Sequence, residues 1–302
     1  MFTTDKFTKD KLLKAPIKLI GAKTNNHGRD LIYQLAPPHL KYRELFMGSG
    51  GILVGKSKVP HEAINDIDTA AVNFYRQFQK NPKELFDRIM AEVGKIQAAP
   101  TGYYWKYMRD HEVEWSQNPI NHAVWYYCIN KYAMNGIVRR RQSDGKCNSS
   151  WCKTVKGRGI LTESWAKAIY LRIADVLFFN SDYREFVSAD YDDSTFLVAD
   201  PPYHDVLTLY SGIKFTAEDQ RELKEVLVGS GARWLLTIND HPFIRELYEG
   251  FEMLEWKPFY SCSQTAAGRQ KTPELIITNY PTKDKYQEIL SKISTNEEKA
   301  AS

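Results

Sequence analysis

The sequence predicts an α/β fold, a doubly wound and mostly parallel sheet interrupted by an insertion. Three observations carry that prediction. Short apolar runs alternate with helix-periodic stretches on both sides of the chain's middle. Three of those runs end abruptly in glycines or acids, at residues 46–51, 65–68 and 200–203, and ligands of such sheets bind beyond the carboxyl ends of the strands. A length of 302 residues suits one core of this kind enlarged by an insertion.

Taken in order, KYRELFMG reads as a strand running into a glycine turn, and HEAIND as a second strand ending in an acid. TAAVNFYRQFQKN carries helical spacing, and PKELFDRIMAEVGKI is another amphipathic helix with Pro82 at its start. Over residues 101–167 the texture changes to Tyr, Trp, Asn, Arg and Ser without strand periodicity, which marks the insertion. WAKAIYLRIADVLFF returns to helix. STFLVAD and ARWLLTIND are strands around the helix TAEDQRELKEVLVG, and PFIRELYEGF is a short helix. FEMLEW and PELIITNY close the sheet as a terminal antiparallel pair. The expected division is a discontinuous catalytic domain (1–75 and 168–284), an inserted domain (76–167) and a polar tail (285–302).

With 43% hydrophobic and 26% charged residues, the composition is that of an ordinary soluble protein. No apolar run reaches membrane length and the first residues are polar, so a cytoplasmic protein with no membrane partner is expected. Cys128, Cys147, Cys152 and Cys262 are too scattered for a disulfide framework, and Cys147 and Cys152 lack a second ligand pair for zinc. Free thiols and no metal are the expectation. The net charge of +4 decides little, but residues 131–158 hold eight Lys or Arg against one acid, Asp144. Such a segment suits a polyanion as well as it suits a solvated loop.

Chemistry gathers at the three strand ends. Gly48, Gly50 and Gly51 permit a tight turn and close approach of a ligand to backbone. In INDID, Asp66 is placed to accept from ribose hydroxyls, with Asp68 either second choice or helix N-cap. The turn lacks a full G-x-G-x-x-G, and no P-loop lysine follows. A ribose-bearing cofactor without a pyrophosphate fits better, and S-adenosylmethionine is such a molecule. In FLVADPPYHD, Pro201 and Pro202 stiffen the turn and remove two N–H donors. Asp200 and the Pro201 carbonyl then accept both hydrogens of an aromatic amine, while Tyr203 stacks on its ring. That arrangement favours a nitrogen with a usable lone pair, which attacks a sulfonium methyl without a covalent enzyme intermediate.

DPPY, preceded by FMGSG and INDID, resembles the Dam-like class of DNA adenine-N6 methyltransferases. KLIGAK, NKYAMNGIVRR, NSDYREFV, YSGIKFTAEDQRELKEVL, TINDHPFIRELYEGF and GRQKTPELIITNY follow that family's order, so the similarity covers about residues 16–281. The resemblance implies a Rossmann-like methyltransferase sheet with an inserted, mainly helical DNA-recognition domain. It implies a pocket for S-adenosylmethionine, with S-adenosylhomocysteine as product, lined by Leu19, Lys23, Phe46, Gly48, Ser49, Gly50, Asp66, Asp182 and Tyr183. Asp200, Pro201, Pro202 and Tyr203 would hold an adenine flipped out of double-stranded DNA. Arg139 falls where the family reads a guanine, a bidentate chemistry. Lys131, Arg140, Arg141, Lys153, Lys156 and Arg158 would touch phosphates, and Met134, Asn135 and Arg269 join the DNA-facing set.

Two positions depart from the family. Leu19 stands where a tryptophan is usual, and Met134 where an aromatic residue wedges into the base stack. QSDGKCNSSWCKTVKGRG departs from the family's reading hairpin, so its best-known target, GATC, is not carried over. Methylation of DNA cytosine, of RNA adenine or of a protein amide are the alternatives, along with a catalytically inactive DNA-binding relative. Asp200 favours adenine, since Ser or Asn is more usual there in the cytosine and protein-amide enzymes. The basic insertion favours nucleic acid. A bacterial cell or a phage-infected host is the expected setting, with a restriction endonuclease encoded elsewhere as an optional partner.

Overall fold

A computed structural model describes residues 13–19, 26–99, 101–141, 143–152, 159–188, 191–204, 215–256 and 273–301. Its strands are β1 (Lys41–Glu44), β2 (His61–Asn65), β3 (Leu177–Phe179), β4 (Thr195–Ala199), β5 (Arg233–Asn239), β6 (Glu252–Trp256) and β7 (Glu274–Thr278). They form one seven-stranded sheet in the order β3-β2-β1-β4-β5-β7-β6. β1 to β5 are mutually parallel, and β7 runs antiparallel to both neighbours. The expected closing pair is present, but β7 sits inside β6, against β5. Its five residues are all buried, whereas β6 is the edge and exposes Glu255.

The helices are α1 (Asn26–Leu35), α2 (Gly51–Gly55), α3 (Thr69–Lys80), α4 (Pro82–Ala98), α5 (Tyr103–Asp110), α6 (Glu112–Ser116), α7 (Pro119–Tyr132), α8 (Glu163–Ile173), α9 (Tyr183–Phe186), α10 (Ala217–Gly229), α11 (Pro242–Leu247) and α12 (Lys283–Ala301). Their starts follow local chemistry. Asp68 caps α3 by accepting from the N–H groups of Ala70 and Ala71. Asn118 caps α7 ahead of Pro119, and Thr216 with Asp219 forms a capping box on α10.

Helices cover both faces of the sheet. Tyr42, Ile64, Phe196 and Val198 pack on one side with α1, α3 and α8; Leu45, Leu197, Ala199 and Trp234 pack on the other with α10 and α11. β4 is buried at all five positions, as a central parallel strand must be. Among the described residues no helix is long and apolar enough to cross a membrane.

Residues 101–141 are largely helical, and α7 is their centre. Eleven of its fourteen residues are buried, including Trp125, Tyr126, Tyr127 and Cys128. A helix apolar on every side must be surrounded, and α3, α4, α5 and α6 surround it. Its side chains belong to the same apolar cluster as the sheet face. The expected border after residue 75 therefore falls inside α3, between the buried Phe74 and Phe78. The expected polar tail is likewise helical, and α12 buries Tyr286 and Ile289 against the rest of the core.

One charged cluster holds the chain where it returns from the insertion. Arg172 on α8 donates to both oxygens of Glu62 on β2, at 2.6 and 3.0 Å. Lys56 donates to the same carboxylate. All three side chains are less than a tenth exposed. Burial pushes the Glu62 carboxyl up, but Arg172 and Lys56 outweigh it and hold the group below its usual range. Breaking such a cluster leaves uncompensated buried charge. Glu62→Gln should lower unfolding free energy by about 3 kcal/mol, read by urea denaturation at neutral pH; a loss below about 1 kcal/mol would place the cluster with ordinary surface pairs.

Candidate active site

The loops after β1, β2, β3, β4 and β5 meet at one edge of the sheet. After β1 the chain turns through Gly48 (φ 53°) and Gly50 (φ 71°), both left-handed. A Cβ at Gly50 would lie 2.5 Å from the Tyr75 hydroxyl, which itself donates to the Ser49 carbonyl at 2.6 Å. The turn therefore has no room for a larger residue. Leu19 packs against it, with its Cδ1 3.7 Å from where a Gly48 Cβ would stand.

Asp66 braces this turn from below. One carboxylate oxygen accepts from Gly48 N at 2.6 Å and the other from Asp68 N at 2.8 Å. Burial and the neighbouring Asp68 charge push its pKa from 3.8 up to about 6, against the pull of the backbone donors. Asp66 thus meets the glycine loop directly, while Asp68 serves as the α3 cap. Asn65, one residue earlier, bonds the Leu45 carbonyl and both the N–H and carbonyl of Ser181, tying three strand ends together.

Beside the turn lies a pocket walled by Phe46, Tyr183 and Phe215, with ring centroids 5.2 to 6.1 Å apart. Asp182 stands at its mouth and caps α9. Arg184 donates to Asp182, Asp219 and Glu222 and lies over the Tyr183 ring at 4.6 Å. Three rings beside a fixed carboxylate suit a purine ring bearing an amine. Phe215 stands within YSGIKFTAEDQRELKEVL, where nothing in the stretch marks it as a pocket wall.

The turn after β4 is pinned from β5 and α10. Thr237 donates to Asp200 at 2.6 Å, and Gln220 donates to the Pro202 carbonyl at 3.1 Å. Asn239 makes a reciprocal pair with the backbone N–H and carbonyl of His204, at 3.0 and 3.1 Å. The Pro201 carbonyl receives no donor from the protein among the described residues. Tyr203 is half-buried against the second core cluster. Asp200, Pro201 and Tyr203 share the turn that follows β4. Thr237, Gln220 and Asn239 are partners the sequence did not reveal, since each reads as an ordinary polar residue in a strand or helix.

The segment expected to face DNA follows α7. Met134 is 46% exposed, and Asn135 (φ 58°) and Gly136 (φ 72°) turn the chain left-handed. The chain then folds back on itself, with Arg139 and Arg141 bonded to Asn148 and Lys146. The three consecutive arginines differ. Arg140 pairs with Glu112 and lies over Trp125. Arg141 pairs with Asp144 at 2.8 Å. Arg139 is exposed, and its guanidinium meets no acid of the protein among the described residues. Lys131 is buried, donating to the Gly159 carbonyl and lying near the Tyr127 and Trp165 rings. Lys131 and Arg140 therefore hold the segment to the protein. Lys23, Lys153, Lys156, Arg158 and Arg269 lie outside the described residues.

A sheet of this order, with a glycine cradle at one strand end and an acid-proline-proline-tyrosine turn at another, is that of a methyltransferase that uses S-adenosylmethionine. The chain belongs to the family described as D12 class N6 adenine-specific DNA methyltransferase, whose profile matches residues 21–262. It is similar to the type II methyltransferase M1.LlaDCHI of Lactococcus lactis subsp. cremoris, 24% identical over 80% of this chain and 90% of that protein. It is also similar to the DNA adenine methylase of Escherichia coli strain K12, 24% identical over 79% and 86% respectively. A third relative, the DNA N-6-adenine-methyltransferase of Escherichia phage P1, is 24% identical over 72% of this chain and 29% of its own length. The protein is a DNA adenine-N6 methyltransferase.

One acid at the site had no sequence signal beyond standing inside an apolar strand. Glu44, 1% exposed on β1, accepts from the Tyr42 hydroxyl at 3.0 Å, and its other oxygen is buried with no partner among the described residues. Its strand partner is Val198, two residues before Asp200. Burial pushes its pKa from 4.5 to about 8; the Tyr42 hydroxyl pulls it down, and the Asp200 charge pushes it further up. The folded state then holds this proton more tightly than the unfolded chain. Its contribution to stability is full below about pH 4.5 and is lost as pH rises towards 8. Glu44→Gln should flatten that stretch of the pH–stability curve in urea titrations; an unchanged slope would mean that Glu44 is ionised throughout.

Proposed function

We propose that the enzyme methylates the exocyclic amine of an adenine extruded from double-stranded DNA, within a defined sequence. The observation that carries this reading is the turn after β4: Asp200 oriented by Thr237, beside a Pro201 carbonyl with no donor among the described residues. These two acceptors take the two amine hydrogens and leave the nitrogen lone pair directed into the site. Tyr203 supplies a face for the base. A paired and stacked adenine cannot reach this turn, so the base must leave the helix.

S-adenosylmethionine, when bound, supplies a methyl group on a positively charged sulfur. The residues that would hold it are Phe46, Tyr183 and Phe215 around its adenine, Asp182 at the amine of that adenine, and the Gly48–Gly50 turn braced by Asp66. The amine lone pair forms the new nitrogen–carbon bond as the carbon–sulfur bond breaks, and the extra proton leaves the nitrogen to solvent afterwards. Asp200 therefore acts by orientation and charge, and need not become the final proton acceptor.

Arg139 is the natural reader of a base edge, because Arg140 and Arg141 are paired within the protein. Met134, exposed on the adjoining turn, would enter the base stack.

Plasmid DNA from a methylation-free host expressing the wild type should carry N6-methyladenine in one motif when sequenced as single molecules. Asp200→Ala should give none while keeping the thermal midpoint and duplex affinity of the wild type; retained methylation would remove Asp200 from the chemistry. Arg139→Ala should relax preference at one base of that motif by about 1–3 kcal/mol in competition binding; equal weakening on every sequence would make it a phosphate contact.

A further inference from the structure

We propose that Asn130 is a positioning residue that joins the cofactor cradle to the DNA-facing turn. Asn130 lies near the end of α7 and is 2% exposed. Its Oδ1 accepts from the Lys18 backbone N–H at 2.9 Å, and its Nδ2 donates to the Lys18 carbonyl at 2.7 Å. The second Nδ2 hydrogen goes to the Gly136 carbonyl at 2.9 Å. One side-chain amide thus captures both backbone groups of a residue 112 positions away, as a neighbouring strand would.

The two ends of this bridge lead to different sites. Leu19 follows Lys18 and packs on the Gly48 turn. Gly136 lies in the left-handed turn that carries Met134 and Asn135 and leads to Arg139. The bridge is close-packed as well as bonded, because a Cβ at Gly136 would lie 3.2 Å from the Lys18 Cβ. A displacement of the glycine cradle therefore has a route to the DNA-facing turn through Leu19, Lys18 and Asn130. Both N–H groups of the amide are used, Asn130 and Gly136 are buried and Lys18 is half-buried, so the bridge has little slack.

Filling the cradle orders one end of this bridge, and seating the DNA orders the other. Each ligand should then tighten the other by the same factor, since such coupling is reciprocal. The inference rests on the assignment of residues 134–139 to the DNA face.

The experiment measures the dissociation constant of S-adenosylhomocysteine with and without a saturating duplex that holds the methylated motif. The wild-type ratio should be on the order of five- to a hundredfold. Asn130→Asp keeps the acceptor for Lys18 N but turns an oxygen towards two carbonyls. Its ratio should fall to about one, while circular dichroism stays that of the wild type. A merely structural role would weaken both affinities and leave their ratio intact, and that outcome overturns the proposal. Gly136→Ala disturbs the same bridge from the turn and should give the same loss of ratio. A wild-type ratio near one overturns the coupling without any variant. A wild type that binds S-adenosylhomocysteine but no duplex overturns the DNA-face assignment instead, and the inference with it.

Discussion

Backbone groups that leave the sheet at its carboxyl edge need new partners, and that requirement organises this molecule. A parallel strand is satisfied by its neighbours only while the ladder lasts. Beyond the ladder, the loops that build the site are held by side chains from the next element. Asn65 holds the ends of β1 and β3, Asp66 holds Gly48, and Asn239 holds His204. Gln220 holds Pro202, and Asn130 holds Lys18 and Gly136. The asparagines copy the donor and acceptor pattern of a peptide, Gln220 its donor and Asp66 its acceptor. The site is rigid because these substitutes are themselves buried or fixed at both ends, which is what preorganised catalysis needs.

The same edge concentrates negative charge. Glu44, Asp66 and Asp200 come from three adjacent strands, and two of them are pushed well above the ordinary carboxylate range. Burial is the main cause in both cases, because water that would solvate the charge is excluded. A site that handles a sulfonium donor gains from anionic surroundings, yet three full charges this close would repel. Keeping Glu44 protonated near pH 7 limits that repulsion.

The insertion shows how packing overrides a division drawn on composition. Residues 101–141 read as polar, aromatic and basic, which suits a separate nucleic-acid module. In the fold, Trp125, Tyr127 and Phe74 share one apolar cluster with the sheet. Two of the basic residues, Lys131 and Arg140, serve that attachment through a carbonyl, a carboxylate and aromatic rings. Charge at neutral pH is readable from residue type. Whether a charge faces solvent depends on partners such as Glu112 and Gly159, which lie 28 positions away in each case.

The sequence by itself determined the strand–helix alternation, the parallel core and the three strand ends where chemistry lies. It could do so because apolar periodicity, glycine at left-handed turns and proline without an N–H are local properties. It also determined the family, since the DPPY, FMGSG and INDID motifs stand in one order. Only the tertiary structure decided that β7 enters between β5 and β6, that Glu44 is buried near Asp200, and that Arg140 and Arg141 pair with acids while Arg139 meets none among the described residues. It alone brought Thr237, Asn239 and Asn130 to the backbone groups they hold. Those facts depend on contacts between residues far apart in the chain, and a hydrogen bond across such a separation leaves no periodic trace in the sequence.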